Sequence, residues 1–168
     1  MRSKRLATPP NPRRIFEQAE IFFSASKHLD AHAFEKAPQY RIPAAVCGAF
    51  ALELYFKCLL ALERTDHSNK HELKTLFDRL SNSTKEELRA RFLILPSMNT
   101  AIFSFMGKKV GTLDAFDVAL EKSNNVFSYW RYDYEYEWAP AGASQWSDDL
   151  IHTTRSLAIE LLDGRAAK

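Results

Sequence analysis

The sequence predicts an all-α protein, built as an up-and-down bundle of five to seven helices. Two observations lead to this fold class. Residues 43–64 are apolar on nearly every side, which is typical of a helix enclosed by other helices. The 168 residues also include only five glycines and few β-branched runs, a composition that disfavours a sandwich or a barrel.

Helix-start signals and apolar spacing divide the chain into its expected elements. Asn11 and Pro12 are a good cap and first helical residue. Ser83 and Thr84 each precede a glutamate by three residues, which is a capping-box pattern. In order, we expect a helix from residue 12 to about 33 and the central helix over 43–64. A short amphipathic helix over 71–80 should have Leu73, Leu76, Phe77 and Leu80 on its inner side, and a helix from about Lys85 to Leu95 should bury Leu88, Phe92 and Leu95. After a partly helical connection over 98–112, a helix opened by Asp114 and ending near Arg131 should have Phe116, Ala119, Leu120, Ser123, Phe127 and Trp130 on one face. An extended segment to Trp138 follows, and then a last helix capped by Ser147 with Leu150, Thr154, Leu157, Ala158 and Leu161 as its inner stripe.

Length and composition indicate one domain in a reducing compartment. We expect a flexible arm at 1–11, a single helical domain at 12–163 and a tail at 164–168. Cys47 and Cys58 are eleven residues apart on one predicted helix, or roughly 16 Å, too far for a disulfide. The basic start MRSKR is followed by no secretory h-region, so the cytoplasm is the expected location.

Charge gives little help in identifying a partner. The net charge of +2 provides no global electrostatic reason to bind nucleic acid. A bilayer span needs roughly 20 uncharged apolar residues. Glu53 and Lys57 interrupt the central stretch, so no membrane association is expected.

Glu53 and Lys57 form the first candidate site, together with His71. The acid and the base lie four residues apart, about 40° apart around the helix, in the favourable order for an ion pair. A short helix entering the core after Asn69 would bring His71 near the end of the central helix. Two interpretations stay open: a buried polar network that fixes packing, or polar groups facing a cleft beside Arg131.

Residues 127–138 form the second candidate site. This segment, FSYWRYDYEYEW, contains seven aromatic residues and one arginine, Arg131. Aromatic faces beside an arginine can stack bases, as single-strand binders do. The three carboxylates of the segment would repel a phosphate backbone, and tyrosine and tryptophan are favoured in protein interfaces. A subunit interface or aromatic core and a nucleotide or RNA contact both remain open.

The histidine pairs give no case for a metal centre. His28 and His32 are four residues apart, as are His67 and His71, but the glutamate of an HExxH zinc helix is absent. No phosphate loop and no GxSxG motif is present. We therefore expect neither a metal nor a cofactor.

Three segments together resemble the HEPN domains of prokaryotes, which are small all-helical proteins. They are FALELYFKCLLALE at 50–63, HELKTLFDRLS at 71–81 and FSYWRYDYE at 127–135. The resemblance implies an HEPN-like fold and a homodimer whose two motifs face one cleft. It also implies a link to toxin–antitoxin pairs or phage defence, and hence a cognate antitoxin or other protein as a further partner.

Many HEPN proteins are metal-independent endoribonucleases whose motif is an arginine, four to six residues and a histidine. The arginine would correspond to Arg131, with Tyr132 as the residue after it. The histidine is missing, because residues 136–138 are Tyr136, Glu137 and Trp138. An arginine without its histidine is better suited to binding than to cleavage, so we expect no complete ribonuclease machinery.

The resulting hypothesis is an HEPN-like protein that binds RNA or a nucleotide. Arg131 would hold a phosphate and Tyr132 and Trp130 would stack or shape the pocket, with Lys57, Glu53 and His71 lining it. One alternative is a ribonuclease in which Tyr136 or His71 replaces the missing histidine. Another is a non-catalytic protein-interaction module.

Overall fold

The computed structural model describes residues 10–35, 38–66, 70–94, 114–124 and 148–166 of the chain. These residues form six α-helices and one 3-10 turn, and none of them is in a strand. The all-α prediction is therefore confirmed. The helices are α1 (Pro12–Glu35), α2 (Arg41–Leu62), α3 (Leu73–Asp78), α4 (Asn82–Ile94), α5 (Asp114–Asn124) and α6 (Asp148–Ala166), with the 3-10 turn at Pro38–Tyr40 before α2.

Helix α2 is the centre of the bundle, as its composition predicts. Residues 51–56 and 58–60 are all buried, so α2 is covered on every side. It packs along α1, its most extensive neighbour, and also contacts α3, α6 and the 3-10 turn. The core continues through these contacts into the apolar faces of α4 and α5.

The bounds of α2 differ from those that the sequence suggests. The helix begins at Arg41, because the 3-10 turn leads directly into it. Pro43 is then its third residue, where the missing amide hydrogen costs nothing since the first amides of a helix have no internal partner. The helix ends at Leu62, and Arg64 adopts a left-handed conformation with φ of 60°. The Thr65 amide then donates to the Leu60 carbonyl at 2.8 Å and closes the helix end.

Helix α2 has the composition of a membrane helix and the burial of a core helix. By length and apolar content α2 would qualify as a membrane span, so the two charges alone do not exclude one. In the fold, however, 72% of the apolar window of α2 is buried inside the protein. Such burial is typical of the core helix of a soluble protein.

The start of α4 corrects the sequence prediction. The helix begins at Asn82 and not near Lys85. Its cap is Ser81, whose Oγ accepts a hydrogen bond from the Thr84 amide at 3.3 Å. The Glu63 carboxylate, just after α2, accepts from the Ser81 amide at 3.0 Å and from the Ser81 hydroxyl at 2.7 Å. A carboxylate from another part of the chain therefore fixes where α4 starts.

The predicted inner faces are largely correct. The Asn11 cap is confirmed, since its Oδ1 accepts from the Arg13 amide at 3.0 Å. On α6, Leu161 is wrongly placed in the inner stripe: it is 37% exposed, whereas Leu162 is 8% exposed. Helix α6 contacts both α2 and α4, so it buries more than one stripe. Buried as predicted are Leu73, Leu76, Phe77, Leu80, Leu88, Phe92, Phe116, Ala119, Leu120, Ser123, Leu150, Thr154, Leu157 and Ala158.

Candidate functional site

Three of the residues predicted for the site come together in the structure. Glu53 and Lys57 lie one turn apart in the middle of α2. His71 lies two residues before the first residue of α3, in the segment that returns the chain to α2. We call these three residues the Glu53 cluster.

The cluster is organised around one carboxylate oxygen. Glu53 Oε1 accepts from Lys57 Nζ at 2.7 Å and lies 3.0 Å from His71 Nδ1. The Glu53 side chain is 3% exposed, that of Lys57 is 14% exposed and that of His71 is 68% exposed. The cluster thus extends from the core to the protein surface, with the histidine on the outside.

The carboxylate fixes the orientation and the tautomer of the His71 ring. An ionised carboxylate can only accept hydrogen bonds, so the hydrogen of this contact belongs to His71 Nδ1. In the neutral ring, Nε2 then carries a lone pair and remains available to another molecule.

Burial explains why Glu53 needs both donors. A carboxylate removed from water loses its hydration, and it is tolerated inside a protein when charged or polar donors replace the lost water contacts. Lys57 and His71 provide these donors from two different elements. The cluster therefore ties the segment before α3 to the middle of α2.

The end of α5 contacts the first turn of α3. Asn124 Oδ1 accepts from the Lys74 amide at 2.9 Å, and Lys74 is three residues after His71. In the sequence, Arg131 follows Asn124 by seven residues.

The remaining predicted site residues lie outside the described part of the chain. They are Trp130, Arg131, Tyr132 and Tyr136, together with the connection over 98–112. Their roles stay predictions. In the described ranges, no group of three or more histidine, cysteine, aspartate or glutamate side chains is arranged to hold a metal ion.

A second polar cluster, which sequence reasoning missed, joins α1, α2 and α6. Arg155 donates through Nε and Nη2 to the two carboxylate oxygens of Glu20, at 2.7 Å each. The fully buried Tyr55 donates its hydroxyl to the same carboxylate. The residues are far apart in sequence, Glu20 and Arg155 by 135 positions, so no local pattern indicates the contact.

The electrostatics of this second cluster favour a structural role. Burial and the hydrogen bond to Glu20 raise the pKa of Tyr55 well above its ordinary value, so the group stays a neutral phenol. Burial alone would raise the pKa of Glu20, but the hydrogen bonds from Arg155 and Tyr55 and the charge of Arg155 lower it overall. A neutral tyrosine and a paired carboxylate stabilise the packing and offer no nucleophile.

Comparison with known proteins gives no relative for this chain: no family model, no curated protein and no solved structure matches it.

Proposed function

We propose that this chain is an HEPN-like protein that binds RNA or a nucleotide and lacks complete ribonuclease machinery. The observation that carries the proposal is the Glu53 cluster. Two elements meet on one buried carboxylate and hold a histidine at the surface, its ring 68% exposed and its Nε2 free of the carboxylate. A surface histidine fixed in this way is suited to contact a ligand, because its orientation is already set before binding.

The proposed ligand contact combines the Glu53 cluster with the segment around Arg131. The Arg131 guanidinium would bind a phosphate through two parallel hydrogen bonds. Trp130 and Tyr132 would stack on a base, and His71 would contact the ligand through Nε2. The hydrogen bond from the Lys74 amide to Asn124 Oδ1 supports this combination, since Lys74 is three residues after His71 and Asn124 is seven residues before Arg131 in the sequence.

The biological setting is also part of the proposal. We propose a cytoplasmic homodimer without cofactors that acts in a toxin–antitoxin or defence system, with a cognate antitoxin or another protein as partner. The support is the resemblance of residues 50–63, 71–81 and 127–135 to HEPN domains.

A second candidate function is metal-independent ribonuclease activity with His71 in place of the missing histidine. The favouring observation is the contact between Glu53 Oε1 and His71 Nδ1, because a carboxylate that orients a histidine is a common arrangement for a general base. His71 Nε2 would take the proton of an RNA 2′-hydroxyl, and the 2′-oxygen would attack the adjacent phosphorus. The bond from phosphorus to the 5′-oxygen would break, and this oxygen would take the proton from the imidazolium, leaving a 2′,3′-cyclic phosphate and a 5′-hydroxyl.

One experiment separates these functions. A labelled single-stranded RNA oligonucleotide is mixed with the protein in EDTA, and both its fluorescence anisotropy and its integrity on a denaturing gel are followed. We expect the wild-type protein to bind the RNA without cleaving it. Arg131→Ala should weaken binding at least about tenfold, because about one good charged contact is lost. His71→Ala should weaken it less, and His152→Ala, which removes another exposed histidine, should not change it.

The other outcomes identify the alternatives. Cleavage that is lost in His71→Ala and in Glu53→Gln would establish the ribonuclease and overturn the binding proposal. No binding of RNA or of nucleotides by the wild-type chain would leave only the protein-interaction module.

A further inference from the structure

His28 and His32 form an exposed pair near the end of α1 that the Glu53 cluster does not involve. They lie one turn apart, and their ring centres are 4.6 Å from each other. Both side chains are exposed, so an ion from solution can reach them. The missing HExxH glutamate argues against a closed zinc site but not against a site with two protein ligands.

The His32 ring is already oriented as a metal ligand needs. Its Nδ1 lies 3.1 Å from the His28 carbonyl oxygen. A carbonyl can only accept, so Nδ1 carries the hydrogen and Nε2 presents its lone pair. Histidines that bind metals typically donate their other ring N–H to a carbonyl or a carboxylate in this manner.

We propose that His28 and His32 chelate one divalent transition-metal ion of the class Zn²⁺, Cu²⁺ or Ni²⁺. Imidazole nitrogens are good ligands for these ions. With metal–nitrogen bonds of about 2.0–2.1 Å and a tetrahedral angle, two bound rings have their centres about 5 Å apart. The observed separation of 4.6 Å is close to this value.

Two further features define the site. His32 is in the last turn of α1, where the negative end of the helix dipole favours a cation. In the described ranges no third histidine, cysteine, aspartate or glutamate side chain joins the pair. The proposed site is therefore a two-histidine chelate and not the four-ligand arrangement of a structural zinc site.

The test is a titration of the full chain with CuSO₄ and separately with ZnCl₂, followed by calorimetry near neutral pH. We expect one equivalent of metal per chain. Affinity should fall at least about tenfold in both His28→Ala and His32→Ala, because each removes one of the two ligands. His152→Ala is the matched control, since this exposed histidine on α6 packs against Phe23 and should leave the titration unchanged.

Two results would overturn the chelate. One is a wild-type chain that binds no metal at this stoichiometry. The other is single variants that keep the wild-type affinity, which would show that the histidines bind independently. Circular dichroism of each variant checks that it is folded. Both residues are exposed, so alanine at either position should leave the fold intact.

Discussion

Glu53 places a carboxylate inside the core, where only 3% of its side chain is exposed. Removing one partner from a buried ion pair leaves an uncompensated charge and commonly destabilises a protein by about 3–5 kcal/mol. Replacing the pair by apolar residues of similar size is often neutral. Stability alone therefore does not require a charged pair at Glu53 and Lys57, and the ligand contact that we propose for the exposed His71 gives this pair a further role.

The Glu20 carboxylate allows a prediction about pH. Its pKa is lowered in the folded protein, despite burial, by hydrogen bonds from Arg155 and Tyr55 and by the charge of Arg155. A carboxyl with a lowered folded pKa stabilises the fold above its unfolded pKa, and this stabilisation is lost as the pH falls through the folded value. Arg155→Leu should therefore destabilise the protein near neutral pH, and the difference from wild type should shrink below about pH 4.

Urea unfolding at a series of pH values measures this difference. Arg14→Leu is the control, because Arg14 is an exposed arginine on the same helix as Glu20 and should change stability little at any pH. A difference between Arg155→Leu and wild type that stays constant from neutral to acid pH would show that Arg155 acts through packing on Phe23, and not through the Glu20 carboxylate.

At the scale of helices, the cap of α4 gives a second prediction. Ser81→Ala removes the hydroxyl that accepts from the Thr84 amide and that donates to Glu63. Loss of such a cap costs about 1 kcal/mol. Ser83→Ala changes one of the two residues that the sequence pattern suggests as caps, and it should cost clearly less stability. Thermal unfolding of the two variants side by side measures the difference. A larger loss of stability for Ser83→Ala than for Ser81→Ala would indicate that α4 is capped by the sequence-predicted capping box and not by Ser81.

The same region shows where sequence reasoning succeeds and where it fails. Apolar spacing places Leu73, Leu76 and Phe77 correctly inside, because a helix face is determined by neighbours three or four residues away. The start of α4 is missed because Glu63, from another element, decides it. Contacts between distant residues leave no local pattern.

The candidate site follows the same rule. The ion pair of Glu53 and Lys57 is predictable from their spacing, and the chain turn before α3 suggests that His71 comes near them. Only the structure shows that Lys57 Nζ and His71 Nδ1 both contact the same oxygen, Glu53 Oε1. The contact of Glu20 with Arg155 had no sequence signal at all.

For the whole molecule, α2 is the element that the others enclose, and polar contacts hold the enclosing helices to each other. Arg155 joins α6 to α1 through Glu20, and Lys27 joins the same two helices through Asp148 at 2.9 Å. Arg91 of α4 contacts Glu160 of α6, and Arg89 contacts Asp117 of α5. These pairs supply directional contacts between the outer helices, because the apolar contacts with α2 are non-directional.

The last prediction concerns the proposed homodimer and its separation from ligand binding. Trp130 and Arg131 are neighbours in the aromatic segment, and we assign Trp130 a second task, in the dimer interface, besides its contact with a base. Tryptophan is among the residues that contribute most to interfaces, whereas an arginine beside it is suited to phosphate. Trp130→Ala should therefore convert the dimer to a monomer, while Arg131→Ala should stay dimeric and lose RNA affinity at least about tenfold.

Light scattering coupled to size-exclusion chromatography measures the mass of each variant, and fluorescence anisotropy measures RNA affinity on the same samples. Tyr40→Ala is the control, because Tyr40 is an aromatic residue 40% exposed on the 3-10 turn, outside the aromatic segment. If Arg131→Ala also becomes monomeric, RNA affinity and assembly depend on one surface, and the loss of affinity no longer identifies a phosphate contact. If Trp130→Ala stays dimeric and binds RNA normally, neither task belongs to that side chain, and the interface lies elsewhere on the bundle.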